Sequence, residues 1–344
     1  SDGKYKSIYA PRLEGQVKAL ERAYEDAGFA PESIGLVEAH GTGTMAGDPT
    51  EFSSLREFFG QLPSFVGSLL FLYTPYRAVQ IYVRGAMGEA LALSLLPFVL
   101  WGITRSIKEP KTRKLIVGTA ILTALFIISH NYLWVISIPF IALFVLLLKK
   151  AEKEFSLKKL LFIGFLSLGL TAYWWIPALV ENKLVSSITP FPLIDHFPFV
   201  KQLIIPSWGY GSSVWGPGDE ISFQIGIVNL FVVMIALILI VFNRNLIINR
   251  KSFPLAIWAL IGFFVSVFFM NIRSLFLWRL IPFYDFIQFP WRLLIFTTFF
   301  SSILAAFIVH SLPKKISKFV GLAIVVSSLV LTIQYFTPSS VFHK

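Results

Sequence analysis

The sequence predicts a mainly α-helical membrane bundle of about eight spans and one truncated span, preceded by a small α/β segment. Three observations support this fold class. Of the 344 residues, 56% are hydrophobic, and the mean hydropathy is +0.72, far above that of an average soluble domain. Apolar runs of membrane length recur after residue 61, separated by basic connections. The first 60 residues differ, because they hold 6 basic and 10 acidic residues and only short apolar stretches.

The N-terminal segment, residues 1–60, is predicted to form a helix, a short strand and a second helix. Apolar residues recur at helical spacing over 13–27, and Gly28 stands where a C-terminal cap belongs. Residues 34–39 predict an apolar strand, and residues 50–59 predict a helix. Because so short a segment buries little surface, we expect a loosely held cytosolic appendage.

A histidine motif follows the predicted strand, with the string His-Gly-Thr-Gly-Thr at 40–44. The glycines allow a narrow loop in which a thin ligand can lie against backbone and hydroxyl groups. A lone histidine beside glycines is structural about twice as often as catalytic. The longer string Val-Glu-Ala-His-Gly-Thr-Gly-Thr-Met-Ala-Gly-Asp-Pro-Thr-Glu at 37–51, however, resembles the β-ketoacyl synthases of polyketide and fatty-acid synthesis.

The resemblance covers residues 1–60 and implies a thiolase-like fold that condenses thioesters of an acyl carrier protein, using one cysteine and two histidines. By motif, His40 would donate a hydrogen bond to the thioester carbonyl, and Thr42 and Thr44 would contact the phosphopantetheine arm. The sequence contains no cysteine. Condensation by this chain alone is therefore not expected, and no other cofactor is required for this segment.

Charge predicts how the remaining residues are oriented. They hold 24 basic and 9 acidic residues, and the connections at 105–114 and 149–159 carry five basic residues each. The positive-inside rule places both connections in the cytoplasm. We therefore expect a multi-pass protein of a bacterial cytoplasmic membrane, with residues 1–60 inside and the C-terminus outside. The lipid bilayer, not nucleic acid, is the expected partner of this positive charge.

Eight apolar runs are the predicted spans, after a run of about 13 residues that is too short to cross. They are 86–104, 115–128, 132–148, 160–176, 223–242, 253–270, 293–312 and 319–336. Two cytoplasmic connections require an even number of crossings between them, so residues 129–131 are the expected tip of a hairpin. Residues 75–85 mix aromatic and basic side chains, as a segment at the membrane interface does.

Two aromatic-rich connections, 178–222 and 271–291, are expected at the outer face. Trp208 and Tyr210 offer flat surfaces for a sugar or lipid headgroup, although composition alone favours an interfacial aromatic belt. Three acids of the longer connection are candidates for a general base or for the ligand of a divalent metal, against the alternative of solvated loop acids. They are Asp195, Asp219 and Glu220.

Four further polar residues stand near the ends of apolar runs. Glu89 lies inside the expected bilayer boundary near Arg84, and the two form either a structural ion pair or part of a substrate site. His130, at the hairpin tip, is either a polar cap or a ligand. Arg292 follows Gln-Phe-Pro-Trp, where it either binds a phosphate anion or anchors the helix.

The later part of the chain, from about residue 69 to 344, carries a second resemblance. It rests on Ser-His-Asn at 129–131, Tyr-Trp-Trp-Ile-Pro-Ala-Leu at 173–179, Trp-Gly-Tyr-Gly at 208–211 and Gln-Phe-Pro-Trp-Arg at 288–292. These strings resemble a bacterial multi-pass family labelled "6-pyruvoyl-tetrahydropterin synthase-related", which is akin to GT-C glycosyltransferases. The resemblance implies a polyprenyl-phosphate sugar as substrate.

Each half of the chain is cut inside the fold that it resembles, which predicts a chimeric or misassembled chain. The membrane part would be glycosyltransferase-like and act on lipid-linked sugars. Two alternatives remain: a β-ketoacyl synthase function assigned from the N-terminal motif, and a non-catalytic transporter or scaffold in envelope-polymer export.

Overall fold

The computed structural model describes residues 13–27, 62–108, 113–152, 155–181, 192–242, 252–281 and 284–336. The chain divides into two compact units, Ser1–Phe65 and Val66–Lys344, and we call the second one the helical unit. The described part is mostly helical and contains no β-strand, apart from a single antiparallel bridge between Tyr210 and Ile221.

The first unit is represented by helix α1, Leu13–Ala27, whose bounds match the sequence prediction. Its least exposed positions include Val17, Leu20 and Tyr24, which recur at the spacing of one helix face. The predicted strand at 34–39, the motif at 40–44 and the predicted helix at 50–59 lie outside the described residues.

Ten further helices of nine residues or more follow in the described part of the chain. They are α2 (Leu62–Leu72), α3 (Met87–Lys108), α4 (Arg113–Ser129), α5 (Leu133–Ala151), α6 (Leu157–Leu170), α7 (Ala172–Val180), α8 (Ile227–Val241), α9 (Phe253–Phe269), α10 (Leu294–Ser311) and α11 (Lys314–Thr332). At 11 residues, α2 is as short as the sequence predicts.

Four helical stretches among the described residues are long and apolar enough to cross a membrane: Met87–Lys108, Leu133–Ala151, Pro290–Ser311 and Lys315–Tyr335. Two bent pairs raise this number to six if each pair is one span. The pairs are α6 with α7, bent by 68°, and α9 with Ile272–Trp278, bent by 93°.

Two predicted runs differ from the helices observed. The run 160–176 is broken at Thr171, which leaves helical geometry at φ −102° and ψ 5° while its hydroxyl donates to the Ser167 carbonyl. The run 223–242 becomes helical only at Ile227, because Gly226 adopts φ +102°, outside the helical region.

Residues 75–85 were expected at the membrane interface, but most of this segment is buried inside the helical unit. It forms a short helix, Pro75–Ala78, followed directly by a π-helix, Val79–Val83. Arg77 can be buried there because its guanidinium donates to the Ala90 carbonyl, 3.1 Å away, and to the Ser94 hydroxyl, 3.3 Å away. Groups of α3 thus accept hydrogen bonds from the buried guanidinium of Arg77.

Helix α10 lies at the centre of the helical unit, and 83% of the most apolar window of Pro290–Ser311 is buried. It packs against α8, α9 and α11. Helix α5 joins this group through Phe140, whose ring lies 4.9 Å from that of Phe296 and whose carbonyl accepts a hydrogen bond from the Trp258 indole. A second group is formed by α3, α4 and α6.

Polar contacts between helices reinforce this packing. The Ser106 hydroxyl of α3 is 3.1 Å from the Thr119 hydroxyl of α4. In the other group, the Asn229 amide of α8 donates to the Ser301 hydroxyl of α10 over 2.7 Å. Small hydroxyl residues that allow close approach and bond across helices are typical of helix packing in lipid.

Contacts place the two basic connections at one end of the unit, which we call the basic end. Lys108 Nζ lies 3.2 Å from Glu152 Oε1, and Lys159 Nζ donates to the Ser106 carbonyl over 2.9 Å. Glu89 is near the start of α3 and Ser106 is near its end, so a rise of 1.5 Å per residue separates them by ~25 Å. We call the end that contains Glu89 the opposite end.

Candidate functional site: a buried ionic cluster

Four charged or titratable side chains meet at the opposite end, and we call them the ionic cluster. Arg84 follows the π-helix, and Glu89 stands in the first turn of α3. His130 follows the end of α4, and Arg292 belongs to the 3-10 turn that leads into α10. Three stretches that are distant in sequence, near residues 84–89, 130 and 292, therefore supply one site.

Glu89 is the centre of the ionic cluster. Its carboxylate accepts two hydrogen bonds from Arg84, one from Nη2 to Oε1 over 2.8 Å and one from Nη1 to Oε2. Arg292 Nε lies 3.0 Å from the same Oε1, as an ionic contact without hydrogen-bond alignment. The structure thus contains the Arg84–Glu89 pair that the sequence suggested, together with a second arginine.

His130 completes the ionic cluster from the turn after α4. Its Nε2 lies 3.5 Å from Glu89 Oε1, and its Nδ1 accepts a hydrogen bond from the Tyr132 backbone N–H over 3.4 Å. Because Nδ1 accepts this hydrogen bond, the ring nitrogen that can donate is Nε2, which faces the carboxylate. His130 is therefore a member of the site and not simply a cap at the hairpin tip.

Tyr76 lies beneath Arg84 and is 1% exposed. Its hydroxyl accepts a hydrogen bond from Arg84 Nη1 over 3.4 Å. Burial, followed by the negative charge of Glu89, raises the pKa of Tyr76 well above its usual range. Burial lowers the pKa of Arg84, and its hydrogen bonds to the charged Glu89 raise it. Tyr76 is thus a neutral hydroxyl beside a permanently charged guanidinium.

Aromatic rings hold both guanidinium groups. The Arg84 guanidinium lies 4.6 Å from the centre of the Trp291 ring. That of Arg292 lies 5.0 Å from the Phe289 ring and 5.7 Å from the Tyr132 ring. In addition, Arg292 Nη1 donates to the Ile287 carbonyl over 2.9 Å. Stacking and hydrogen bonding together fix the planes of the two cations.

Among the described residues, none of the predicted loop acids forms an ion pair with the arginines of the ionic cluster. Asp219 stabilises its own loop, because it accepts hydrogen bonds from Gln202 Nε2 and the Val214 N–H, each over 2.9 Å. Glu220 is exposed. Asp195 is half-buried beside His196, whose ring packs 4.7 Å from that of Phe289 and whose Nδ1 lies 2.9 Å from the Ser213 hydroxyl.

Trp208 and Tyr210 are brought together in the same loop. The Trp208 ring stacks on Tyr335 with centroids 4.7 Å apart, and Tyr210 meets it edge-on at 6.0 Å. Tyr210 is 57% exposed. Tyr335 therefore covers one face of Trp208.

No group of three or more His, Asp or Glu side chains with the geometry of a metal site occurs in the ranges that the structure describes. The ionic cluster supplies only two such groups, Glu89 and His130, and two arginines crowd them. His40, Thr42 and Thr44 lie outside the described residues.

Two features of this site escaped the sequence analysis. The first is that His130 faces Glu89. Since α3 and α4 are antiparallel and the turn between them is short, their register already pairs positions near 89 and 130. The second is that Arg292 contacts Glu89. This contact depends on where α10 packs, which no local sequence pattern predicts.

Comparison with known proteins concerns the other part of the chain. Residues 1–70 match the family "Beta-ketoacyl synthase, C-terminal domain". The match begins with the predicted ketosynthase-like segment and extends ten residues past its expected boundary at residue 60. It covers the motif at 40–44, so the first resemblance of the sequence analysis is confirmed.

Three relatives illustrate this similarity. A mycocerosic acid synthase-like polyketide synthase of Mycolicibacterium smegmatis is 51% identical over 59 residues, which are 17% of this chain and 3% of the relative. A polyunsaturated fatty acid synthase of Thraustochytrium sp. is 51% identical over 59 residues, 17% of this chain and 2% of the relative. The highly reducing polyketide synthase alnA of Emericella nidulans is 41% identical over 73 residues, 20% of this chain and 3% of the relative.

The chain thus spans only 2% to 3% of the length of these relatives. No solved structure matches it. The likeness to ketoacyl synthases belongs to the N-terminal fifth, and the ionic cluster lies beyond it.

Proposed function

We propose that residues 1–70 contribute the ketoacyl synthase function of this protein, by recognising an acyl group that an acyl carrier protein presents on phosphopantetheine. The observation that carries the proposal is the match of this segment to the ketoacyl synthase C-terminal domain. Names of the similar proteins, polyketide synthase and fatty acid synthase, agree with such a substrate.

Within this proposal, His40 donates a hydrogen bond to the thioester carbonyl, and Thr42 and Thr44 contact the pantetheine arm. The chain has no cysteine, so it does not itself supply a thiol nucleophile. Its own contribution is substrate recognition.

Binding of an acyl-pantetheine thioester to the purified full chain tests this proposal. We expect saturable binding that weakens about tenfold in His40→Ala, because one hydrogen bond to the carbonyl is lost. Lys18→Ala, on an exposed position of α1, is the matched control and should bind normally. Absence of saturable binding to the parent chain would contradict the proposal.

For the helical unit we infer a second function, that of an integral membrane protein of glycosyltransferase-like type. Supporting it are the four helices of membrane length and the polar contacts between helices. The basic end would face the cytoplasm, together with residues 1–60, and the ionic cluster would face outward. An outer face that contains Tyr210, Arg84 and Arg292 suits a lipid-linked sugar. The alternative function is transport or scaffolding in polymer export.

The absence of native cysteine makes this orientation directly testable. Lys158→Cys at the basic end and Asn131→Cys at the opposite end are both exposed positions. In intact cells, a membrane-impermeant maleimide should label Asn131→Cys, whereas Lys158→Cys should require permeabilised cells. The reverse pattern would invert the orientation, and release of the chain by alkaline carbonate would refute the membrane proposal.

Enzyme and transporter are separated by activity. Membranes that contain the full chain should transfer a labelled sugar from a polyprenyl phosphate if the unit is a transferase. Asp195→Asn, Asp219→Asn and Glu220→Gln then identify the acid on which transfer depends. Unchanged transfer in all three would remove the loop acids from the mechanism.

Chimeric origin is tested at the level of DNA. One sequencing read that spans the codons of Val37 to Glu89 decides whether a single frame joins the two parts. A continuous frame supports a natural fusion, and its absence assigns the parts to separate proteins.

A further inference from the structure

We propose that the ionic cluster, with Gln80 and Trp291, is a binding site for a phosphate-type oxyanion. The chemistry is argued from the site itself. Only the source of the anion, a lipid headgroup or free phosphate, rests on the membrane function proposed above.

Charge is the first argument. Within the described part of the chain, the ionic cluster sets the two guanidinium charges of Arg84 and Arg292 against the single carboxylate of Glu89. The two guanidinium groups alone therefore leave one positive charge in excess of the carboxylate. Charges this deep in a protein are normally matched, so the site favours one further negative group.

Access is the second argument. The Glu89 side chain is 2% exposed, whereas those of Arg84, His130 and Arg292 are 14%, 15% and 12% exposed. A ligand that arrives at the opposite end therefore meets the cations first, with the carboxylate beneath them. This order favours an anion and disfavours a metal ion.

Geometry is the third argument. Both arginines touch the same oxygen, Glu89 Oε1, so one small anion can bridge them. Trp291, Phe289 and Tyr132 already hold the guanidinium planes. Arg84 Nη1 and Nη2 already bind Glu89, and Arg292 Nη1 binds the Ile287 carbonyl, so an anion would meet the remaining donors of the two groups. Because the guanidinium planes are fixed in advance, little conformational entropy is lost on binding.

Unpartnered polar atoms are the fourth argument. Gln80 is 0% exposed, and neither atom of its amide has a hydrogen-bond partner among the described residues. The same holds there for Trp291 Nε1. Buried polar groups without partners are rare and mark sites where something binds.

Gln80 is placed to take part. Tyr76, Gln80 and Arg84 follow one another at four-residue steps through the short helix and the π-helix, so they share one face of this segment. Contact between Tyr76 and Arg84 shows that this face is turned towards the ionic cluster. A π-helix inserted beside a functional site is a common arrangement.

A purely structural clamp is the competing explanation, because the ionic cluster also ties α3, the α4–α5 turn and α10 together. A clamp needs the Arg84–Glu89 pair and the contact to Arg292. It does not need a buried amide without a partner, such as that of Gln80. The two explanations also predict different responses to added phosphate.

The test uses the purified full chain in a neutral detergent. Labelled inorganic phosphate is titrated at constant ionic strength, and binding is followed by equilibrium dialysis. We expect saturable binding in the parent chain and at least about a tenfold loss in Arg292→Gln. Arg273→Gln, an exposed arginine at the same end, should bind as the parent does.

A second arm distinguishes the source of the anion. The chain is placed in nanodiscs of phosphatidylcholine, with or without phosphatidic acid, and phosphate binding is measured again. Competition by phosphatidic acid assigns the site to a lipid phosphate, while unchanged binding assigns it to free phosphate. Both results support an oxyanion site.

Two results would overturn the proposal. One is that the folded parent chain binds phosphate no better than chloride, and the other is that Arg292→Gln binds phosphate as well as the parent. If Arg292→Gln does not fold, Arg292→Lys replaces it in the test, because lysine keeps the charge but lacks the planar guanidinium group. Binding of phosphate that is about tenfold weaker in Arg292→Lys supports the site. Equal affinity of the variant and the parent overturns it. Detergent binding does not depend on orientation in a membrane, so failure here is distinct from failure of the labelling test.

Discussion

At the basic end of the helical unit, Lys108 and Glu152 form an ion pair in which the side chains are 51% and 29% exposed. At the opposite end, Glu89 is 2% exposed and contacts two arginines and a histidine. Both ends join helices through opposite charges. At the basic end solvent screens the charges, whereas at the opposite end the protein itself must satisfy them.

Removing a charge should therefore change stability by different amounts at the two ends. An exposed pair contributes little, since water solvates each partner when the other is absent. A buried carboxylate between arginines cannot be removed without leaving cations unpaired. The stability of the fold therefore depends little on the Lys108–Glu152 pair and strongly on Glu89.

Glu89→Gln should produce the largest effect. It keeps the size of the side chain but leaves two guanidinium groups without their carboxylate, which typically costs about 3–5 kcal/mol. We expect a strongly lowered thermal midpoint for the full chain in detergent. A midpoint close to that of the parent would show that another group balances these arginines.

Gly88→Ala should produce the next largest effect. A Cβ at Gly88 would lie 2.5 Å from the Ser129 carbonyl oxygen, and a backbone atom cannot easily move away. Overpacking of this kind typically costs about 1–3 kcal/mol. Gly118→Ala is the control, because nothing lies within 4 Å of its Cβ. Because alanine has a better helix propensity than glycine, Gly118→Ala should be as stable as the parent or more stable. An equal loss of stability in both variants would contradict the close packing of α3 against α4.

A smaller effect should depend on pH through His196. Burial lowers its pKa below the usual 6.5, against the opposing charges of Asp195 and Asp219. The unfolded chain therefore takes up a proton at higher pH than the folded chain does. Stability is complete above 6.5 and is lost as pH falls from there towards the folded pKa.

His196→Gln tests this effect, because it removes the titrating group and keeps a hydrogen-bonding side chain for Ser213. The difference in thermal midpoint between about pH 7.5 and about pH 5.5 should shrink in the variant. The same difference as in the parent chain would assign the pH dependence to other groups.

Glu152→Gln should produce the smallest effect. Its ion pair with Lys108 is substantially exposed, so the loss should stay below ~1 kcal/mol. Paired with Glu89→Gln in the same assay, it measures the contrast between the two ends. Equal changes in thermal midpoint for the two substitutions would contradict the difference between the two ends.

Much of the helical pattern could be predicted from the sequence. Apolar runs and helical spacing report backbone hydrogen bonding and burial locally, so α1 and the turn at 129–131 were predicted closely. The break at Thr171 was missed because a hydroxyl that bonds to the preceding turn leaves the hydropathy unchanged. The late start of α8 was missed because the apolar run continues through Gly226.

The ionic cluster was predicted only in part. Arg84 and Glu89 are five residues apart, so their pairing is visible in the sequence. Arg292 is more than 200 positions away and reaches Glu89 only after α10 has docked. Burial of residues 75–85 was missed for the same reason, because Arg77 is satisfied by carbonyl and hydroxyl groups of α3 that composition does not reveal.

The central position of α10 has a consequence for how the unit is made. Synthesis begins at the N-terminus, so α5, α8 and α9 exist before α10, the helix that they pack around. Their packing is completed only when residues 290–311 emerge. Arg292 arrives with this helix, and the charge balance around Glu89 is therefore among the last features of the molecule to be completed.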